Sequence, residues 1–169
     1  MARLSLLLLR AGCRLAALWL LGTAGAAFAA PPHMALEVEL DPATRHFHAS
    51  ARLASERLPD FVLHPGLAIS RATVDGVAVA PADLQHLAPA AGEHRFAIEY
   101  GGTLPPLPAI RQQSPNPGSF YAAPQGSYLA PEARWYPDPG VPFTYTLTLK
   151  LPRGQKGLVP GRQLREYDS

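Results

Sequence analysis

The sequence has almost no cysteine and carries none of the common catalytic signatures. Cys13 is the single cysteine among 169 residues, so the chain can form no internal disulfide and no cluster of thiolate ligands for zinc or iron. There is no Gly-x-Ser-x-Gly turn for a nucleophilic serine, no Gly-x-Gly-x-x-Gly loop for a phosphate and no His-Glu-x-x-His for zinc. Considered by themselves, the residues indicate neither a catalytic site nor a metal site.

Residues 30–169, which follow the first 29 residues, also carry almost no net charge. Three of the 15 Lys and Arg lie in residues 1–29 and all 13 Asp and Glu come later, which leaves residues 30–169 with 12 cations against 13 anions, a net charge of −1. Proteins that bind nucleic acids need a clustered basic face to neutralise phosphates. The composition therefore argues against a nucleic-acid partner.

Long hydrophobic runs are absent too, and the one short run lies near the N-terminus. Three arginines flank the start of an apolar stretch over residues 15–21, and small residues then lead to Ala29. This order is typical of a secretory signal peptide, and the stretch is shorter than the ~20 residues that span a bilayer. We expect a signal helix, cleavage after Ala29, and a periplasmic or cell-envelope location for residues 30–169. In the alternative, the leader is lipidated at Cys13 or stays uncleaved and tethers the protein to the membrane. Arg10, three residues before Cys13, disfavours processing at that cysteine. Membrane contact would then be limited to the leader.

Proline and glycine divide the rest of the chain into short pieces. All 19 prolines lie after residue 29, which leaves no room for a capped helix of ordinary length. Within the pieces, apolar and polar residues alternate with the period of two that is typical of half-buried strands. The clearest strands are predicted over residues 34–41, 47–53, 69–74, 77–79, 95–100 and 143–151, with weaker segments near Phe61, Leu84, Tyr121 and Leu158.

Two turn sequences join neighbouring strands. Asp41-Pro42 favours a turn between the first two strands, which should pair as an antiparallel hairpin. Asp75-Gly76 favours a type I′ turn and therefore a second hairpin. Eight or more short strands predict one all-β domain over residues 30–169, built as an antiparallel sandwich or as saddle-shaped sheets.

Two pairs of polar residues each share one face of a predicted strand. His46 and His48 could place two imidazoles on a metal ion, although no third ligand lies nearby in the sequence. Glu37 and Glu39 could form a carboxylate pair, which would need a cleft to separate their pKa values. In both cases we expect exposed polar side chains, so no catalytic residue and no metal ligand is assigned.

Aromatic residues concentrate in one Pro-rich part of the chain. Surfaces rich in aromatic residues can recognise peptides or glycans. Alternatively, Trp135 and Tyr136 close the end of the sandwich. The concentrated residues are Phe120, Tyr121, Tyr128, Trp135 and Tyr136.

Residues 126–161 carry the most distinctive sequence. They begin Gly-Ser-Tyr-Leu-Ala-Pro-Glu-Ala-Arg-Trp-Tyr-Pro-Asp-Pro-Gly, continue with Phe-Thr-Tyr-Thr-Leu-Thr-Leu-Lys-Leu, and end with Pro-Arg-Gly and a later Pro-Gly. Upstream lie a strand and Asp-Pro turn at 36–42, Val-Asp-Gly at 74–76 and Tyr-Gly-Gly at 100–102. In sequence and order, these segments resemble the N-terminal β domain of the aminopeptidase N family of zinc metallopeptidases, the gluzincins that include membrane alanyl aminopeptidase, over nearly all of residues 30–169.

The resemblance implies a saddle of β-sheet that packs on a thermolysin-like catalytic domain. In the family, that domain binds zinc through His-Glu-x-x-His and a distant Glu, and these motifs do not occur in the 169 residues. We therefore expect a fragment of a hydrolase, incomplete at its C-terminal end, that holds no cofactor and is inactive alone. Its partners would be its own catalytic domain, which holds the zinc, and a peptide substrate.

The resemblance also implies which residues lie at the edge that meets the catalytic domain or the substrate. Where the family has a Gln-x-Glu-like segment that holds the amino terminus of the substrate, this sequence has Tyr128, Leu129 and Ala130. A free-standing periplasmic β-sandwich module for a peptide or glycan is the alternative function. The expected edge residues are Tyr128, Arg134, Trp135 and Tyr136.

Overall fold

The computed structural model describes residues 30–108 and 119–166. The expected signal helix lies outside the described residues. In the described part, eight strands and two short 3₁₀ helices, Pro81–His86 and Pro131–Ala133, make up the regular structure, which confirms the all-β class. The strands are β1 (His33–Asp41), β2 (His46–Ser55), β3 (Leu67–Val74), β4 (Val77–Val79), β5 (His94–Thr103), β6 (Phe120–Tyr121), β7 (Tyr128–Leu129) and β8 (Thr144–Lys150).

The first predicted hairpin is confirmed. Strands β1 and β2 pair antiparallel with Leu40 opposite Phe47, so the apolar residues of both strands share one face. At the turn, the Asp41 carboxylate accepts hydrogen bonds from the Thr44 hydroxyl (2.8 Å) and the Ala43 N–H (2.9 Å), and these bonds lower the pKa of Asp41. The side chain of Asp41 thus satisfies the donors that the tight turn leaves without a strand partner.

The second predicted hairpin is confirmed as well. Strands β3 and β4 pair antiparallel around Asp75 and Gly76. The φ angles of these two residues are 52° and 81°, and a type I′ turn requires positive φ at both central positions.

Six strands form one sheet in the order β4-β3-β5-β2-β1-β8, and β6 and β7 form a separate two-stranded sheet. All neighbours in the large sheet are antiparallel except β1 and β8, which run parallel. The parallel pair is an exception to the mainly antiparallel pairing that the sequence predicts. Alternation predicts a strand but contains no information about its direction, and a parallel neighbour needs a long crossover connection, which the many residues between β1 and β8 supply.

The core lies on one face of the large sheet. Strands β1, β2 and β5 are central, and the loops between strands cover their apolar face, while the opposite face is polar. The buried strand residues are Met34, Leu36, Val38, Leu40, Phe47, Ala49, Ala51, Leu53, Phe96, Ile98 and Tyr100. The buried residues that other segments contribute to the same core include Phe61, Leu84, Leu104, Phe120, Ala122, Ala130 and Ala133.

The weaker predicted segments give mixed outcomes. The one near Tyr121 is a two-residue strand, β6, whereas Leu84 lies fully buried in the helix Pro81–His86, which begins at a proline. Near Phe61, pairing is limited to one bridge between Asp60 and Asp138. The strand predicted around Leu158 is wrong, because this segment pairs with no other strand in the described part of the chain and Leu158 is fully exposed.

Among residues 30–108 and 119–166, no helix combines the length and the apolar character needed to cross a bilayer.

Candidate functional site

Arg134 is fixed by its backbone more than by its side chain. It follows the helix Pro131–Ala133 in the left-handed conformation, with φ 55° and ψ 48°. Its carbonyl accepts the His64 N–H at 2.8 Å, and its Nη1 donates to Asp60 Oδ2 at 3.1 Å. Because both charged side chains are about half exposed, the ion pair contributes at most ~1 kcal/mol. Arg134 therefore connects the motif segment to the loop around residues 60–64.

Trp135 and Tyr136 lie against the core next to Arg134. The Trp135 carbonyl accepts a hydrogen bond of 2.9 Å from the hydroxyl of Tyr100, a fully buried residue whose pKa is raised by burial. The rings of Trp135 and Tyr136 meet edge to face, with centroids 4.7 Å apart. Both side chains are half-buried. The suggestion that they close one end of the core is compatible with this packing, and a part of each ring remains exposed.

These two rings begin an aromatic row that continues onto β8. The Tyr136 and Phe143 centroids are 6.0 Å apart, and those of Phe143 and Tyr145 are 6.4 Å apart. Burial, Asp138 and other acidic neighbours raise the pKa of Tyr136. Tyr145, at the end of the row, is 40% exposed. We call Trp135, Tyr136, Phe143 and Tyr145 the aromatic row.

Tyr128 lies apart from the aromatic row. It belongs to β7, and its ring contacts that of Tyr121 across the small sheet, with centroids 6.4 Å apart. Its side chain is 40% exposed. The structure therefore brings together three of the four expected edge residues, Arg134, Trp135 and Tyr136, and places Tyr128 on a different element.

The two pairs of polar residues on β1 and β2 are exposed, as expected. His46 and His48 flank the buried Phe47, and Glu37 and Glu39 alternate with buried residues of β1. In the part of the chain that the structure describes, no three His, Cys, Asp or Glu side chains come together in a group that could hold a metal ion. The described residues thus offer no donor set for the zinc that the resemblance implies.

One cluster that the sequence analysis missed surrounds His94. Its Nδ1 lies 2.7 Å from Asp75 Oδ2 and its Nε2 lies 2.9 Å from the Ala90 carbonyl oxygen. The hydrogen bond to Asp75, followed by the bond to Ala90, raises the pKa of His94. The Arg95 N–H also donates to Asp75 at 2.8 Å and is the main cause of the lowered pKa of Asp75. The Asp-Gly turn sequence draws attention to Asp75. Its partner His94 lies 19 residues away along the chain, so the local pattern does not connect the two residues.

A shallow groove of about 210 Å³ crosses the polar face of the sheet. Its two arginines are already paired, Arg52 with Glu37 at 2.9 Å and Arg71 with Glu99 at 3.8 Å. These pairs neutralise the groove and leave it without the concentrated charge that would select an ionic ligand. Its lining includes Ser50, Arg52, Arg71, Thr73 and Glu99.

No family model matches the sequence, and no curated protein matches it. Among solved structures, the chain is similar to an M1 zinc metallopeptidase from Deinococcus radiodurans: a point mutant bound to Tyr-Ser-Ala substrate shows 17% identity and a TM-score of 0.45, and the unmutated enzyme shows 16% and 0.42. A two-domain M1 metallopeptidase mutant bound to L-arginine gives 18% and 0.45. Each match covers 72% of this chain and 32% of the other, so this chain spans about a third of the length of those enzymes.

Proposed function

We propose that residues 30–169 form the non-catalytic N-terminal β domain of an exported, zinc aminopeptidase-like protein. The domain would pack on a thermolysin-like catalytic domain that holds the zinc and whose motifs do not occur in this chain. The observation that carries the proposal is the motif segment, residues 126–161, whose sequence resembles that of the family and whose aromatic residues form a partly exposed row packed against the core.

The exposure of the aromatic row supports a contact with a second domain. Tyr and Trp have a large apolar body with one polar atom, and for this reason they are enriched where a surface is covered by a partner. Trp135 Nε1 is itself buried, so the contact would be made by the exposed parts of the rings. A second domain that covered the row would bury the exposed parts of its rings.

Each expected edge residue has a role in this proposal. Arg134, whose carbonyl accepts the His64 N–H, positions the start of the segment that carries Trp135 and Tyr136, and these two residues form the contact surface. Tyr128 adds a second, separate contact from β7. A peptide substrate would contact the same surface as the catalytic domain. The domain supplies no group that reacts, so its contribution is the placement of the catalytic domain and of one wall of the substrate site.

The gene itself provides the sharpest test of this proposal. We expect an open reading frame that continues beyond codon 169 and encodes His-Glu-x-x-His followed by a distant Glu. Purified residues 30–169 should bind no stoichiometric zinc and should not cleave aminoacyl anilides. A stop codon directly after codon 169, or zinc-dependent cleavage by the isolated domain, would contradict the proposal.

Export is tested separately. The N-terminal sequence of the exported protein should begin at Ala30, because the leader is expected to be cleaved after Ala29. A product that retains residues 1–29, or that begins at an acylated Cys13, would show that the leader tethers the protein to the membrane.

The second candidate function is a free-standing periplasmic module that binds a peptide or a glycan. The specific observation that favours it is again the aromatic row, since partly exposed rings in a line can stack on sugars or contact an extended peptide. Binding of the isolated domain to a glycan array, lost on Trp135→Ala and Tyr136→Ala substitution, would favour the module. Absence of binding together with a downstream catalytic sequence would favour the peptidase domain.

A further inference from the structure

His64 lies where three segments of the chain meet. Its backbone N–H donates to the Arg134 carbonyl at 2.8 Å, and its own carbonyl accepts the Leu67 N–H at 2.8 Å. Its ring packs on the ring of Phe120 in β6, with centroids 4.3 Å apart and planes tilted by 41°. His64 thus connects the start of β3, the small sheet and the segment that carries the aromatic row.

The His64 ring also stabilises the turn that leads into β3. The bond from the Leu67 N–H to the His64 carbonyl closes this turn, and Pro65 lies at its second position, where proline presets φ. In addition, the Gly66 N–H donates to Nδ1 of His64 at 3.0 Å. An imidazole nitrogen accepts a hydrogen bond only when it carries no proton. The turn therefore requires a neutral His64 whose proton is on Nε2.

A protonated ring cannot keep this arrangement. Both nitrogens of an imidazolium are donors, so the Nδ1–H of His64 would point at the Gly66 N–H. The charge would also lie on a partly buried ring, and burial lowers the pKa of His64. A cation gains some attraction from the face of Phe120, but that contact does not require Nδ1 to face Gly66. We therefore expect the protonated ring to turn away from Gly66.

The charged side chains of the surrounding segments have other positions or partners. Asp60, on the same loop, accepts a hydrogen bond from Arg134 Nη1 at 3.1 Å, and Arg45 donates to a backbone carbonyl at 3.2 Å. Glu132, in the short helix before Arg134, is exposed, and the two exposed histidines of β2 lie on the polar face of the sheet. Strand β6 and the rest of the turn add no charge. Burial, rather than a charged neighbour, is what lowers the pKa of His64.

The bond between His64 and Arg134 connects the turn to the aromatic row. Arg134 has the left-handed conformation, and its carbonyl is fixed by the His64 N–H. Trp135 follows directly, with its own carbonyl held by the Tyr100 hydroxyl at 2.9 Å and its ring half-buried. A change in the turn would therefore act on a backbone hydrogen bond that lies next to Trp135.

We propose that His64 is a pH-sensitive switch, which in its neutral form joins the turn at residues 64–67 to the segment that begins at Arg134 and which releases this segment when Nδ1 takes up a proton. Acidification then changes the surroundings of Trp135, at the start of the aromatic row, while the sheet keeps its packing. The switch consists of contacts within the described residues, so it does not depend on a catalytic domain.

The fluorescence of Trp135 provides the first test. In the full chain, Trp19→Phe leaves Trp135 as the only tryptophan, and this background is used for every variant. We expect its emission maximum to change once between about pH 8 and about pH 5, with a midpoint below 6.5, the ordinary pKa of histidine. This range lies above the usual titration of Asp and Glu, so a carboxylate would not account for the change.

A matched pair of variants separates the hydrogen-bond acceptor from the titration. Asn can accept the Gly66 N–H through Oδ1, as it does in many turns, but it takes up no proton. We expect His64→Asn to keep the emission of the neutral form down to about pH 5. His64→Ala has no acceptor and should show an emission close to that of the acidic form at every pH. His94→Ala removes a histidine from a different cluster and should leave the transition unchanged.

Nitrogen NMR of the same background follows the switch directly. Neutral His64 should carry its proton on Nε2, and the Gly66 amide should shift with the same midpoint as the emission of Trp135. This measurement needs no substitution of His64, so it provides the test if His64→Ala does not fold.

Three results would overturn the proposal. The first is a neutral His64 with its proton on Nδ1, because that nitrogen could not accept the Gly66 N–H. The second is a constant Trp135 emission while His64 titrates, which would show that the turn and the aromatic row are not coupled. The third is a transition that persists in His64→Asn, because its source would then be another group.

Discussion

At the scale of single residues, His94 makes stability depend on pH. Both of its ring nitrogens face oxygen acceptors, so the doubly protonated ring satisfies both, and its pKa is raised above the ordinary value of 6.5. A raised pKa in the folded state means that the stabilisation is complete below pH 6.5 and is lost as the pH rises through the folded value. Urea midpoints measured from pH 5.5 to 8 should therefore fall, and His94→Ala should remove this component of the decrease.

A second histidine gives the control for this experiment. Burial lowers the pKa of His64, so its contribution has the opposite sign and decreases as the pH falls through 6.5. His64→Ala should leave the loss of stability above pH 6.5 in place. An unchanged pH profile in His94→Ala would contradict the role assigned to the bonds with Asp75 and Ala90.

The hydrogen bond between Tyr100 and Trp135 is the other residue-scale prediction. Tyr100 is fully buried, and its hydroxyl donates to the Trp135 carbonyl at 2.9 Å. Tyr100→Phe should lower the free energy of unfolding by roughly 1–2 kcal/mol, because a buried carbonyl loses its donor. The measurement is chemical denaturation, with Tyr121→Phe as the control in a half-buried tyrosine. Equal stability of Tyr100→Phe and the native protein would contradict the assigned contact.

At the scale of elements, the end of β5 requires glycine for close packing. A Cβ at Gly102 would collide with the backbone carbonyl of Gly66, and a backbone group can move little. Gly102→Ala should therefore cost about 1–3 kcal/mol, as overpacking does. Gly76→Ala is the control, because its Cβ would meet nothing within 4 Å and the cost of about 1–2 kcal/mol arises from positive φ alone. Unchanged stability of Gly102→Ala in thermal or urea unfolding would contradict the close approach.

The same scale shows which elements the sequence predicts. Strands β1, β2 and β5 have one covered face, so their alternation is complete and the prediction is confirmed, as is the turn at Asp75. Leu84 is an isolated buried leucine, and one apolar residue has no period that could distinguish a 3₁₀ turn from a strand. The direction of β8 relative to β1 does not follow from its sequence for a similar reason, because strand pairing is decided by the rest of the sheet.

At the scale of the whole molecule, the secondary structure gives a simple spectroscopic prediction. Residues 30–169 should show a far-UV circular dichroism spectrum dominated by β structure, since the helical segments are two short 3₁₀ turns in the described part of the chain. Helical minima of the strength of an α-helical protein would contradict the fold.

The candidate site was only partly predictable at this scale. The sequence identified Trp135 and Tyr136, but it could not show that Phe143 and Tyr145 continue the same row, because their contact depends on where β8 joins the sheet. It also grouped Tyr128 with these residues, whereas pairing with Tyr121 places it on another element. Contacts between distant segments are a property of topology, and a local pattern does not specify them.

The parallel pairing of β1 with β8 also determines the order in which the domain can be completed. His33 on β1 and Thr144 on β8 are hydrogen-bonded although 111 residues separate them. A chain that leaves the ribosome at 5–20 residues per second would need roughly 6–22 s to deliver β8 after β1. During that interval the edge of β1 that later pairs with β8 has no partner strand. The pairing of β1 is thus timed by the arrival of β8.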